Sequence, residues 1–460
     1  MKKFYIVFFL INLLLSFYFI DTWNNSNTTS RALPIVSYFE QGNFQIDKYH
    51  ELVLDKAYID GHYYTDKAPL PTLIVLPVFG LLKWLGVIQA VDGSYYGPSV
   101  YILGGLICGS IPFVIFMLLS FVGIKKNKSG ISPVLLSCMP FFGSFIFVFA
   151  GTYFTHMMSG FLLLIAYIYL KKSGFILAGI FAGLAFLSEY TIALIFPIWA
   201  LQLWVKQKSF IKGFYFGLGT LPAIVFILAY NYYFTGSPIT MMYKFHTFQD
   251  LHSNYGFSLP TLESLWGLSF SNYKGLFFYA PFLLLSMFVV FKNNKISAIA
   301  SHYITWVSIA YFLVIAGYFG WWGGWTYGPR LLFPIVVLLL YEGILQVSKY
   351  KINKPLFWTL TLFGLTGAFL AKITVLYSIP TESIHPFVQT IFPALANGGF
   401  NPNNLATMIF GVNPLLAGIL WVILFVGGML FLERYEKGCK PRGTRACLAG
   451  KAGIAALVQR

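Results

Sequence analysis

The carboxylates of this chain are concentrated in one segment near its N-terminus. Only 15 of the 460 residues are Asp or Glu, and eight of these lie between residues 21 and 92. The eight are Asp21, Glu40, Asp47, Glu51, Asp55, Asp60, Asp66 and Asp92. Asp55 and Asp66 are each followed by a lysine, Lys56 and Lys67. Carboxylates accept protons and ammonium groups bind anions, so the pattern indicates a chemically active segment. The alternative is that each acid is a solvated, turn or helix-cap residue.

The composition of the whole chain predicts where this segment lies. The chain is 58% hydrophobic, 19% aromatic and only 10% charged, whereas soluble proteins carry about 25% charged residues. This composition excludes an ordinary water-soluble enzyme and a disordered protein, and it predicts an all-α polytopic membrane protein. The four cysteines, at positions 108, 138, 439 and 447, form neither a disulfide framework nor a CxxC metal pair.

Twelve apolar runs are predicted to be membrane-spanning helices. They cover approximately residues 4–20, 98–123, 131–150, 157–170, 173–188, 191–205, 210–232, 275–291, 296–319, 331–347, 355–376 and 413–432. The stretch 173–205 is predicted to be a hairpin of two short halves, broken at residues 188–190. The first run ends without a small-x-small cleavage site, so we interpret it as an uncleaved span.

The lysines and arginines predict the orientation of these spans. With the N-terminus inside, 22 of the 31 Lys and Arg residues lie in cytoplasmic loops or in the tail, as the positive-inside rule requires. The net charge of +16 is therefore explained by topology, and no nucleic-acid partner is expected. The apolar run 70–88 does not fit, because a crossing there would reverse every later loop. It is predicted to lie in the outer interface or to re-enter without crossing, so both termini are cytoplasmic.

The first outer loop is predicted to hold two membrane-surface helices. Ser30 can cap a helix over 31–41, with Gly42 just past its end. The apolar run 70–88 supplies the second helix, and a turn is predicted at residues 60–61 in the polar connector. The predicted organisation is a transmembrane domain over 1–432, outer loops at 21–97, 233–274 and 377–412, and a basic cytoplasmic tail over 433–460.

Several motifs on this predicted outer face resemble the GT-C superfamily of integral-membrane glycosyltransferases, which includes protein O-mannosyltransferases and lipid A aminoarabinose transferases. The motifs are GHYYTDKAP at 61–69, AGIFAGLAFLSEY at 178–190, NYYFTGSP at 231–238, NYKGLFFYAP at 272–281 and WWGGWTYGPR at 321–330. The last three resemble a bacterial subgroup with undefined acceptors. The likeness covers about residues 1–430, but the better-known members carry an acidic pair soon after span 1, and residues 27–31 contain none.

The resemblance implies an inverting transfer of a sugar from a polyprenyl-phosphate carrier to a cell-envelope acceptor. The acceptor is a lipid, glycan or protein, and the reaction takes place on the outer face of the plasma membrane. Such a transfer needs a carboxylate that accepts the proton of the acceptor. The candidates for this catalytic base are Asp55 first, then Asp66 and Asp21.

The resemblance also implies cations that hold the phosphate as negative charge returns to it. Lys67 and Arg330 are the candidates for this contact. Further substrate contacts are expected of Tyr64, Lys274 and Trp325. The alternative for these residues is that they anchor the protein at the membrane interface, where long basic side chains and aromatic rings are common.

Other readings of the sequence stay open. His156 and His246 could contact a phosphate or a metal, but without clustered ligands at metal spacing a structural role is favoured. No cofactor is required by the pattern, and a divalent cation is left open. A non-catalytic or transport protein for lipid-linked sugars is the alternative function, although few ionisable residues besides Glu342 and Lys372 lie inside spans. A lipid-linked glycan polymerase or ligase is the other alternative.

Overall fold

The computed structural model describes residues 2–88, 96–247 and 256–439. Asp92 and the part of the predicted tail after residue 439 lie outside the described residues. Nearly all of the regular structure is helical. In chain order the α-helices are α1 Lys2–Phe17, α2 Ser26–Gln41, α3 Leu70–Trp84, α4 Gly97–Gly104, α5 Ile111–Gly123, α6 Pro133–Phe142, α7 Phe145–Val148, α8 Thr155–Lys171, α9 Phe175–Ser188, α10 Ile195–Gln207, α11 Phe210–Thr235, α12 Leu262–Ser269, α13 Leu276–Tyr279, α14 Phe282–Asn293, α15 Ile296–Ala300, α16 Tyr303–Ala316, α17 Phe333–Val347, α18 Lys354–Ile373, α19 Phe392–Ala396, α20 Leu405–Phe410 and α21 Pro414–Gly438.

The described part of the chain contains five helical stretches that are long and apolar enough to cross a membrane. They are Gly97–Gly123, Phe210–Thr235, Arg330–Val347, Lys354–Ile373 and Pro414–Gly438. Shorter apolar helices of 10–17 residues, such as α8, α9 and α16, lie at other predicted spans. The predicted class, an all-α polytopic membrane protein, is confirmed. The number of crossings, their orientation and the division into loops and tail stay predictions.

Several predicted spans are interrupted where the sequence carries a helix breaker. The predicted span 131–150 consists of α6 and α7, separated at Gly143. The predicted hairpin break at residues 188–190 is confirmed, because α9 ends at Ser188 and a 3₁₀-helix begins at Tyr190. Glu189, between them, has an extended backbone with φ −155° and ψ 114°. The break therefore places the carboxylate side chain of Glu189 between the two helical segments.

Helix α2 begins earlier than the sequence predicted. Its cap is Asn25, whose side chain accepts a hydrogen bond from the backbone N–H of Asn27. This bond satisfies one of the free amides of the first turn, so the prediction that Ser30 caps the helix was wrong. The predicted end is confirmed, since Gly42 closes α2 with φ 75°. The predicted second helix is α3, although its depth in the membrane stays a prediction.

A short hairpin forms between these two helices. Strands β1, Ala57–Ile59, and β2, His62–Tyr64, are antiparallel and pair Ala57 with Tyr64. The two connecting residues, Asp60 and Gly61, have φ of 51° and 87°, as a two-residue hairpin turn with positive φ at both positions requires. The turn predicted at residues 60–61 is confirmed.

The first and last described helices pack around one tryptophan. The ring of Trp421 in α21 lies 5.3 Å from Phe147, 5.1 Å from Phe369 and 5.0 Å from Phe425. Its Nε1 donates to the backbone carbonyl of Leu15 in α1 at 2.9 Å. Aromatic packing of this kind fixes α1 and α21 against each other.

Candidate active site

The β1–β2 hairpin brings Asp55 and Asp66 together. Because Ala57 pairs with Tyr64, the residues two places further out on each side are Asp55 and Asp66. Lys67 Nζ lies 2.8 Å from Asp55 Oδ2 and 3.2 Å from Asp66 Oδ1. One ammonium group therefore lies against two carboxylates that would otherwise repel each other.

His246 joins this group from a distant part of the chain. Its Nε2 lies 3.6 Å from Asp66 Oδ2 and 4.0 Å from Asp55 Oδ1. Its backbone forms a β-bridge with Ala57, which places the imidazole at the hairpin. His246 is 7% exposed and Asp66 is 2% exposed. We call Asp55, Asp66, Lys67 and His246 the acidic cluster.

The two carboxylates of the acidic cluster differ in access. Burial raises the pKa of Asp55, but Lys67, His246 and Arg330 lower it by more, so the carboxyl titrates below its usual range. It is therefore ionised at neutral pH. The side chain of Asp55 is 28% exposed and that of Asp66 is 0% exposed, so Asp55 is the carboxylate that an incoming hydroxyl group can reach.

Arg330 is positioned by the glycine-rich turn that precedes it. Gly323 and Gly324 have φ of 74° and 70°, and a Cβ added at Gly323 would lie 3.0 Å from Arg330 Cγ. The conformation and the space therefore both favour glycine. The buried Nζ of Lys274 donates to the backbone carbonyl of Thr326 and, at 3.4 Å, to that of Gly324. Lys274 thus holds the turn that carries Arg330.

Arg31 is a second guanidinium at this site, and it is a residue that the sequence analysis did not select as a candidate. It is 5% exposed, donates to Asn27 and donates through Nη2 to Thr155 Oγ1 at 3.1 Å. Burial lowers its pKa to about 10, Asp66 opposes this shift and Arg330 adds to it. Arg31 therefore stays charged and lies within electrostatic reach of the acidic cluster.

A direct contact joins helix α2 to the segment that carries Asp66 and Lys67. Ser30 Oγ lies 2.9 Å from Thr65 Oγ1, so the residue before Arg31 touches the residue before Asp66. This hydroxyl pair is the bond that Ser30 makes in place of the predicted helix cap.

A carboxylate–imidazole pair lies next to Arg31. His156 follows Thr155, and its Nδ1 is 3.0 Å from Glu189 Oε2. Ser159 Oγ donates to the same oxygen at 2.8 Å. The break between α9 and the following 3₁₀-helix supplies Glu189, and the first turn of α8 supplies His156.

The ring of Phe154 contacts both His156 and Arg330. Arg330 Cζ is 5.5 Å from the ring centroid of Phe154, within the range of a cation–π contact. The ring of His156 is stacked on Phe154 with centroids 6.1 Å apart. Arg31, His156 and Arg330 therefore form one region with the acidic cluster.

Some buried polar atoms in this region have no hydrogen-bond partner among the described residues. They include Arg31 Nε, His156 Nε2, Tyr190 OH, Arg330 Nε and Asp66 Oδ1. Leaving such an atom unpaired costs about 1–3 kcal/mol or more. No group of three or more His, Cys, Asp or Glu residues with metal-binding geometry was found in ranges 2–88, 96–247 and 256–439.

The other predicted site residues lie apart from the acidic cluster or at its edge. Asp21 is fully buried and its Oδ2 accepts from Tyr377 OH at 2.9 Å. Tyr64 ends strand β2, and its ring lies edge-on to Phe234 with centroids 5.2 Å apart. Trp325 is 54% exposed on the turn before Arg330. The roles of all these candidates stay predictions.

Site and fold together define a polytopic membrane protein with a charged, partly buried centre where segments from several distant parts of the chain meet. No protein-family model and no curated protein sequence matches the chain. Solved structures similar to it include ArnT from Cupriavidus metallidurans bound to undecaprenyl phosphate, at TM-score 0.47 and 11% identity over 99% of this chain and 79% of that one. The apo state of the same ArnT gives TM-score 0.47 and 11% identity over 94% and 76% of the two chains.

The archaeal oligosaccharyltransferase AglB from Archaeoglobus fulgidus, in complex with an inhibitory peptide and a dolichol-phosphate, is also similar. It gives TM-score 0.37 and 12% identity, covering 100% of this chain and 60% of that one. ArnT and AglB belong to the GT-C superfamily that the sequence motifs resemble.

Proposed function

We propose that this protein is a membrane glycosyltransferase. It moves a sugar from a polyprenyl-phosphate carrier to a cell-envelope acceptor on the extracytoplasmic face of the plasma membrane, with inversion at the anomeric carbon. The observation that carries the proposal is the position of Arg31 and Arg330, each with a buried unpaired Nε, beside the acidic cluster.

The cations fit the carrier phosphate. Arg31 and Arg330 carry only donors, in a planar arrangement that matches phosphate oxygens. Their unpaired Nε atoms require an acceptor that the described side chains do not supply. Lys67, at the start of the segment leading into α3, adds a third positive charge. A phosphate monoester or diester supplies the acceptors and the negative charge together.

The acidic cluster fits a general base. Asp55 is ionised, partly exposed and held at 2.8 Å by Lys67. In the proposed step the hydroxyl oxygen of the acceptor forms a bond to the anomeric carbon. The bond from that carbon to the phosphate oxygen breaks, and its electron pair stays with the phosphate. Asp55 takes the hydroxyl proton, so charge and atoms balance.

An apolar groove fits the carrier tail. It has a volume of about 570 Å³ and lies between α14, α16 and α17, with Leu283, Phe312 and Leu339 among its lining residues. Ile335, another lining residue, follows Arg330 by little more than one helical turn. A tail in this groove would leave the phosphate near the guanidinium group.

The acidic cluster also bears on the question of a metal. Carboxylate oxygens are the ligands that Mg²⁺ prefers, but Lys67 Nζ already contacts both carboxylates. We therefore expect sugar transfer to persist in EDTA, and a complete loss that Mg²⁺ or Mn²⁺ restores would assign the cluster to a divalent cation.

The proposal is tested with purified protein in lipid nanodiscs, labelled polyprenyl-phosphate sugars and a cell-envelope extract. We expect covalent label on an envelope acceptor, lost in Asp55→Asn and Arg330→Ala. Asp47→Asn is the matched control, because Asp47 is a half-exposed acid of the same loop that pairs with His62. Movement of unmodified sugar lipid without covalent label would instead favour a transport protein, and growth of a carrier-linked glycan would favour a polymerase or ligase.

A further inference from the structure

The described neighbours of His156 hold its ring in one orientation and leave one ring atom without a partner. Glu189 Oε2 lies 3.0 Å from its Nδ1, and the Ser159 hydroxyl group donates to the same carboxylate oxygen at 2.8 Å. Phe154 and Phe333 stack on the ring, with centroids 6.1 and 6.2 Å away. Nε2 alone has no partner among the described residues, although the residue is only 5% exposed.

The chemistry of the pair restricts what can bind Nε2. A carboxylate only accepts hydrogen bonds, so Nδ1 must carry the hydrogen that faces Glu189. Nε2 then accepts when the ring is neutral and donates when the ring is protonated. The described charged groups that act on His156 are Glu189, Arg31 and Arg330. The two guanidinium groups leave their own Nε atoms unpaired in the same region.

Three unpaired nitrogens in one region call for one partner rich in acceptors. Two belong to guanidinium groups, which can only donate. A phosphate group satisfies both and also satisfies Nε2, provided that the His156 ring carries a second proton. Glu189 supplies the negative charge that stabilises the protonated ring from the other side.

We propose that His156 is a further catalytic residue, whose protonated Nε2 binds the carrier phosphate and gives it a proton as the sugar leaves. This inference rests on the proposed glycosyl transfer and deepens it. While the electron pair of the sugar–phosphate bond passes to the phosphate, the Nε2 proton moves to a phosphate oxygen. The neutral imidazole then accepts a hydrogen bond from the P–OH group, and Asp55 holds the proton taken from the acceptor.

The proposal is tested by binding, without any need to know the sugar or the acceptor. The probe is farnesyl phosphate, an isoprenoid monophosphate, titrated calorimetrically into the full chain in nanodiscs at pH 8 in buffers of different ionisation enthalpy. A phosphate monoester is a dianion at this pH, because its second pKa is about 6. We expect the wild type to take up about one proton on binding and to bind more weakly as pH rises.

His156→Gln should abolish the proton uptake and weaken binding about tenfold, the usual effect of losing one hydrogen bond to a charged group. Glu189→Gln keeps a hydrogen-bonding side chain and should reduce the uptake. His62→Gln is the matched control, since His62 also binds a carboxylate through Nδ1, that of Asp47 at 2.7 Å, but in an exposed part of the loop. Melting temperatures of all variants show whether each is folded.

Two results would overturn the inference in distinguishable ways. Suppose that the wild type binds the probe and that Arg330→Ala weakens this binding. If His156→Gln then binds the probe with unchanged affinity and proton uptake, the role of His156 is wrong while the phosphate site stands. If the wild type does not bind the probe at all, the proposed carrier site fails and the role of His156 fails with it.

Discussion

Asp55 and Asp66 share the ammonium group of Lys67, which lies 2.8 Å from one carboxylate and 3.2 Å from the other. The hairpin register sets the two acids opposite each other, where like charges destabilise a strand pair. Lys67 therefore stabilises the hairpin even when no ligand is bound. A phosphate that also contacts Lys67 would have to approach an ammonium group already paired with carboxylates, and this favours Arg31 and Arg330 as the stronger phosphate contacts.

Lys67→Met should lower stability at neutral pH and remove part of the acid sensitivity of the protein. Because the folded pKa of Asp55 is held below its usual value, ionised Asp55 contributes stability that is present at neutral pH and lost as pH falls towards the folded pKa. Without Lys67 that pKa rises, so less of this stability is present at neutral pH and less is lost on acidification. Melting temperatures should therefore differ most between the wild type and Lys67→Met at pH 7 and should converge towards pH 3. Lys48→Met is the control, since Lys48 is half-exposed and pairs with Glu40; an equal loss of melting temperature there at pH 7 would contradict the explanation.

Asp55→Asn should lower kcat by about 100-fold or more, the usual effect of removing a general base. The amide cannot take the proton of the acceptor, while the phosphate contacts are unchanged, so the KM for the carrier should change by less than about threefold. Initial rates of label transfer at several carrier concentrations separate the two constants. A raised KM with an unchanged kcat would mean that Asp55 binds substrate and is not the base.

The part of the site that local sequence encodes was predictable. The pair Asp60-Gly61 marks a hairpin turn, and a two-residue turn fixes the register that brings Asp55 opposite Asp66. Likewise, two adjacent glycines shortly before Arg330 favour a turn, and Gly323 and Gly324 have the positive φ values of one. These features depend on residues a few positions apart, whose conformational preferences can be read directly.

The long-range contacts could not be predicted in the same way. His246 reaches the acidic cluster through a β-bridge to Ala57, and no local pattern marks that bridge. Arg31 is placed by Thr155 from another helix. His156 and Glu189 were both visible as polar residues at helix ends, but their pairing depends on how α8 packs against α9. The predicted start of α2 was wrong because the side chain of Asn25, and not that of Ser30, accepts the hydrogen bond from the first turn.

Lys274→Met should remove a pH dependence of stability. Burial lowers the pKa of Lys274 to about 7, and Arg330 adds to the shift. Between pH 7 and the ordinary lysine value of about 10.5, the unfolded chain binds more protons than the folded one, so stability rises with pH in this window. Melting temperatures between pH 7 and 10 should rise for the wild type and stay flatter for Lys274→Met. The exposed Lys437→Met serves as control and should retain the wild-type slope.

Gly323→Ala should displace Arg330. The added Cβ would lie 3.0 Å from Arg330 Cγ and 3.2 Å from its Nε, at a φ of 74°. Gly398→Ala isolates the backbone effect, because Gly398 has φ 69° with nothing within 4 Å of its Cβ position. Both variants should lose about 1 kcal/mol of stability from the positive φ. Only Gly323→Ala should weaken farnesyl phosphate binding. Equal affinities in the two variants would show that the turn does not position the phosphate site.

Asp21→Asn should leave catalysis intact, although Asp21 is one of the three candidate bases. Its side chain is fully buried, accepts from Tyr377 OH at 2.9 Å and from the backbone N–H of Trp23 at 3.2 Å. Burial raises its pKa to about 6. The folded state therefore binds the proton more tightly than the unfolded one, and the wild type loses stability as pH rises from about 4 to 6. The amide keeps an acceptor oxygen and cannot ionise, so Asp21→Asn should lack this slope in a pH series of melting temperatures.

The kcat of Asp21→Asn should stay within about threefold of the wild type, because an enclosed carboxylate cannot meet the hydroxyl group of an acceptor. A loss of kcat as large as that of Asp55→Asn would instead make Asp21 the base.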